Sequence, residues 1–205
     1  MSPRTLAAFV VALLAFGVNA GAQEKPIAFT GARILPIAGD PIPEGVLVVQ
    51  GGRITAVGPT SSTSVPAGAE VRDVRGKVLM PGLVDSHSHI GGGSGADGAS
   101  PIQPDVRVLD AIDVRHPSIQ KAQAGGITTA NVMPGSGHLI SGQTLYLKLR
   151  DGRVIDDLLI RLPDGSPAGG LKMANGTNSI RTPGGPFPGS RAKSAALVQI
   201  GRAHV

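Results

Sequence analysis

The sequence predicts an α/β protein in which a small β-rich segment at residues 23–80 leads into a strand-and-helix region at 81–198. Three observations carry that prediction. Short β-prone runs bounded by Gly, Pro or Asp recur before residue 80, the pattern of brief strands joined by tight turns. After Pro81-Gly82 the pattern gives way to an apolar run that turns polar at its end, and a helix is expected at 118–124. The 205 residues are 41% hydrophobic, an ordinary share for a folded chain, while 30 glycines and 17 prolines mark it as loop-rich.

Residues 1–22 carry a single charge, Arg4, then an apolar run to Phe16 and the small residues Ala20-Gly21-Ala22. This is the layout of a secretory leader. Gly17 and Asn19 interrupt the run before the ~20 apolar residues that span a bilayer. Cleavage after Ala22 and a periplasmic or secreted product are expected, with no membrane association after cleavage. There is no cysteine, so no disulfide framework supports the exported chain.

The β-rich segment reads as strands at 28–30, 32–35, 46–50, 53–57, 70–74 and 77–80. Gly51-Gly52 sits between two of them as a two-residue hairpin connection, and 59–68 is a polar Ser/Thr/Pro loop. Fewer than about 60 residues cannot build a large core, so this unit is expected to pack on something else.

The second region opens with Leu83-Val84-Asp85-Ser86-His87-Ser88-His89. A two-residue side-chain period puts Asp85, His87 and His89 on one face and Ser86 and Ser88 on the other. Two imidazoles so spaced can reach one metal ion. By themselves they read better as surface histidines ahead of the Gly91-Gly92-Gly93-Ser94-Gly95 loop.

The wider context decides between these. The run Val78-Leu79-Met80-Pro81-Gly82-Leu83-Val84-Asp85-Ser86-His87-Ser88-His89, preceded by Asp73-Val74-Arg75-Gly76-Lys77, resembles the amidohydrolase superfamily. Residues 124–136, containing Gly125-Gly126-Ile127-Thr128-Thr129, and residues 170–178, containing Leu171-Lys172-Met173-Ala174-Asn175-Gly176, extend the resemblance toward the branch related to imidazolonepropionases. It implies a β-sandwich built partly from 23–80 and an incomplete (β/α)8 TIM barrel from 81 onward. It also implies a divalent metal, zinc by ligand type, as one or two ions held partly by His87 and His89. Lys172 is the counterpart of a strand-four lysine that many members carboxylate to bridge two metals; an ordinary strand-edge lysine with a solvated tip is the alternative. Asp85 either orients an imidazole from behind or simply ends the strand.

The implied activity is metal-assisted hydrolysis of a non-peptide C–N bond, amide or cyclic amide, in a small-molecule substrate. Such barrels take about 250 residues, far more than follow Gly82 here. The remaining metal histidines and the catalytic aspartate of the family are therefore expected beyond the fragment, which by itself is expected to be inactive. The competing class is a non-catalytic exported metal-binding or structural fragment. A homo-oligomer of the full-length protein is compatible with either.

Other features point elsewhere only weakly. His116 is expected in a solvated loop at the helix entry, and His138, in the loop after the second barrel strand, is a candidate to line the cleft. Gly135-x-Gly137 lacks the third glycine of a dinucleotide fingerprint, and Asn175-Gly176-Thr177 reads as a strand-to-loop turn although it fits a glycosylation acceptor. No Gly-x-Ser-x-Gly elbow supports a serine hydrolase. Four Phe, one Tyr and no Trp leave no stacking platform for nucleic acid. Residues 199–205, Gln-Ile-Gly-Arg-Ala-His-Val, back-translate to CAG ATC GGA AGA GCA CAC GTC. That matches the start of a common sequencing adapter, so the natural sequence is expected to depart near Val198. Without Arg4 and Arg202 the formal charge of +5 becomes +3, and no basic partner surface is indicated.

Overall fold

The computed structural model describes residues 25–93, 99–180 and 188–202, with backbone alone at 200–202. The leader expected at 1–22 lies outside the described residues. The chain divides into two compact units, Met1–Pro81 and Gly82–Val205.

In the first unit, strands β1 (Ile27–Ile34), β2 (Ile42–Gln50), β3 (Arg53–Pro59), β4 (Glu70–Asp73) and β5 (Val78–Leu79) form one sheet. Its order is β3-β2-β1-β4, with β5 also on β1. The expected runs at 28–30 and 32–35 fuse into β1. The residue between them, Gly31, has φ +81° and sits at a register shift against β2, where a positive φ favours glycine. Gly51 and Gly52, at φ +57° and +70°, close the β2–β3 hairpin with Gln50 opposite Arg53. Two left-handed residues make the tight turn whose twist suits paired strands. β4 and β5 run parallel to successive halves of β1. The expected sandwich is thus represented by a single sheet among the described residues. Its core is small, Ala28, Val46 and Val48 with Ala56 and Ala69 against them, as so short a segment dictates.

The second unit begins with β6 (Leu83–Ser88), then helix α1 (Pro117–Ala124), then β7 (Ile127–Val132) parallel to β6. This β–α–β step is the repeat of which α/β barrels are made. It is followed by β8 (Ile140–Gln143), β9 (Leu145–Lys148), β10 (Leu171–Met173), α2 (Thr177–Ile180) and α3 (Arg191–Arg202). β9 pairs with β7 antiparallel, and β10 with β8 antiparallel. The connection after β7 holds β8 rather than a crossover helix, so the chain returns in the opposite direction. In the stretch 154–160, Ile155–Asp157 form a 3₁₀ turn, after which Leu159 bridges Leu147 of β9 antiparallel, with the Lys148 N–H donating to the Leu158 carbonyl and the Ile160 N–H to the Tyr146 carbonyl. There the Asp157 carboxylate accepts the backbone N–H groups of Arg153 and Val154, which hold its pKa below the usual carboxylate range.

The core of this unit joins Ala130 and Val132 of β7, Leu145 and Leu147 of β9, Ile119 of α1, and Val108, Leu149 and Leu158. α1 starts one residue earlier than expected, with proline at its first position, where its missing N–H is harmless. His116 is not a solvated loop residue: half-buried, it caps α1, its Nδ1 accepting the Ser118 N–H at 3.2 Å.

Among the described strands β6 pairs with β7 alone, and Leu83 and Val84 on it are 52% and 65% exposed. An unpaired apolar edge templates further pairing. The 205-residue chain is expected to associate with rising concentration in sedimentation velocity, and Val84→Lys to reduce that association. A wild-type chain that stays monomeric throughout would count against an open edge.

Candidate metal centre

Pairing on β6 determines where its histidines point. Ser88 lies opposite Val132, and both are buried against the core. Laterally paired residues share a face and neighbours alternate, so His87 and His89 take the other face. A register shift between Asp85 and Ser88 interrupts strict alternation just before them, a common way to re-aim side chains near a site.

On that face the two imidazoles meet edge to face, with centroids 5.2 Å apart and planes at 81°. The Lys172 Nζ lies 3.3 Å from His87 Nε2. Lys172 reaches it from the middle of β10 and is only 8% exposed, which removes the solvated-tip alternative. The structure therefore brings His87, His89 and Lys172 together from positions 85 residues apart. Among the described residues no carboxylate forms an ion pair with Lys172. No group of three or more His, Asp or Glu side chains gathers at one point among them either.

Hydrogen bonding fixes which nitrogen of each ring is available. The Met133 carbonyl lies 2.8 Å from His89 Nδ1. A carbonyl only accepts, so in neutral His89 the proton resides on Nδ1 and the lone pair on Nε2. An ammonium only donates, so Lys172 places a lone pair on His87 Nε2 as well. Backbone support of this kind commonly orients metal-binding histidines. Asp85 does not hold an imidazole: its carboxylate accepts the backbone N–H of His87 at 3.0 Å. His138 is buried, with its carbonyl accepting the Ser141 hydroxyl.

Two residues on the same face went unnoticed in the sequence. Ala130 and Val132 point into the core, so Asn131 between them points the other way, directly across from Tyr146 on β9. The Asn131 Oδ1 is buried without a hydrogen-bond partner. Beside them the Lys148 ammonium donates to Thr129 Oγ1 at 3.1 Å. A polar Asn131 set between the apolar Ala130 and Val132 was the available signal.

No family model matches the chain. It is 34% identical over 119 residues to the amidohydrolase tasK of Hapsidospora irregularis, covering 53% of this chain and 12% of that protein. It is 30% identical over 172 residues to an imidazolonepropionase of Rhizobium rhizogenes, covering 68% of this chain and 42% of that one. An amidohydrolase of Thermotoga maritima superposes with a TM-score of 0.74 at 32% identity, over 84% of this chain and 45% of its own. The chain belongs to the amidohydrolase superfamily. It spans less than half the length of these amidohydrolase relatives.

Proposed function

We propose that this chain is the N-terminal part of an exported, metal-dependent amidohydrolase that cleaves non-peptide C–N bonds of amide or cyclic-amide type. The observation that carries this reading is the meeting of His87, His89 and Lys172 on one sheet face. The donor set fits a divalent cation: two imidazoles stand side by side, and a buried lysine without a carboxylate ion-pair partner among the described residues can serve as an oxygen ligand once carboxylated, a change that also releases the His87 Nε2 lone pair from the ammonium. His87, His89 and Lys172 would hold part of the coordination shell of one or two ions, zinc by ligand type. When bound, such an ion supplies Lewis-acid polarisation and makes water a nucleophile near neutral pH.

The chain's own residues prepare that chemistry. The Met133 carbonyl fixes the tautomer and orientation of His89, and the Asp85 carboxylate fixes the backbone that carries His87. Asn131 and Tyr146 line the same face with a carboxamide and a phenol, groups suited to orienting an amide-type substrate. Export to the periplasm or medium is supported by the leader pattern at 1–22.

The test is the continuation of the gene and the metal content of its product. Two further strand-end histidines, an aspartate and one or two zinc ions per full-length chain are expected. A continuation lacking these residues, or a metal-free active product, overturns the reading.

A further inference from the structure

A second cleft, in whose lining neither His87 nor His89 is found, lies against α3. It encloses about 610 Å³, within the range of small-molecule sites. One wall is a single face of α3, formed by Arg191, Ser194, Ala195 and Val198 at the spacing that stacks side chains along a helix. The other wall is Leu139 and Asn175, held side by side by the Ala174 N–H donating to the Leu139 carbonyl at 3.0 Å.

The charge of this cleft is one-sided. Among the described residues no acidic side chain lines it and no carboxylate pairs with Arg191. The Ser194 hydroxyl already donates to the Ser190 carbonyl at 2.9 Å, leaving the Arg191 guanidinium and the Asn175 amide as the side-chain donors among the described lining residues. Leu139, Ala195 and Val198 make the rest apolar. A planar guanidinium fork matches a carboxylate in two parallel hydrogen bonds, and the apolar wall suits a short branched hydrocarbon.

We propose that this cleft is a binding site for a small aliphatic carboxylate. The assignment goes beyond the hydrolase reading and does not depend on it, since no metal or histidine takes part. An apolar segment of protein laid in the same cleft would desolvate Arg191 without a counter-charge, which is costly.

Isothermal titration of the 205-residue chain with 4-methylpentanoate and with 4-methylpentanamide at low ionic strength tests it. The carboxylate is expected to bind at least about tenfold more tightly than the amide, as a charge-assisted pair would. Arg191→Gln should abolish that preference. Arg191 is exposed, so the variant is expected to keep the wild-type circular dichroism. Ala195→Glu, which sets a carboxylate on the same wall, should eliminate carboxylate binding by repulsion and serves as the second variant. Equal affinities for the two probes, binding of neither, or a preference that survives both substitutions would overturn the proposal.

Discussion

Replacing His87 and His89 together with alanine in the full-length protein is expected to reduce bound metal from one or two ions per chain to a trace, with hydrolysis lost alongside. Both histidines are exposed on the free face of β6 rather than packed in the core, so the change opens no cavity and the fold is expected to survive. Their lone pairs are directed by the Met133 carbonyl and by Lys172, so what the double variant loses is ligand chemistry. Even outer partners of metal-binding histidines are worth ~10–100-fold in affinity, and removing the ligands themselves should exceed that. Elemental analysis of purified wild-type and variant protein, with circular dichroism as the control for folding, gives the answer. Unchanged metal content in a folded double variant would contradict the proposed centre.

Leu147→Ala is expected to be the most damaging single truncation in the second unit. Leu147 is fully buried in the middle of β9, opposite Ala130 of β7, in the cluster that also holds Ile119 of α1 and Leu158. Deleting a buried leucine side chain removes its transfer free energy and leaves a cavity, together about 2–5 kcal/mol. Because Ala130 is already small, little material is at hand to refill the space, and a loss of about 3 kcal/mol or more is expected. Urea unfolding followed by circular dichroism measures it. A loss below about 1 kcal/mol would mean that this sheet and helix do not share one well-packed core.

Legibility in the sequence followed how local the responsible physics was. The hairpin at Gly51-Gly52 was readable because positive φ at both residues is a property of those two glycines. The α1 helix was readable from its own residues, whereas the role of His116 was not. Whether that imidazole caps the helix or faces water depends on where the chain ahead of Pro117 turns. In the stretch 154–160, Val154, Ile155 and Ile160 favour strands, yet only 158–160 pairs with β9, because the Asp157 carboxylate captures two backbone N–H groups and closes a turn ahead of it. At the site, the two-residue period of His87 and His89 was visible, while Asn131 and Tyr146 lay concealed in strands whose facing was unknown.

By itself the sequence determined the chemistry available. It supplied an imidazole pair at a strand end, a lysine in an apolar run and no cysteine. Those follow from residue identity and short-range spacing, which no folding can alter. The tertiary structure decided what the residues do together. Only the pairing of Ser88 with Val132 shows which face the histidines take, and only the placement of β10 brings Lys172 to within 3.3 Å of His87. Such contacts join segments far apart in the chain, and they are set by how strands are registered and which faces the core claims.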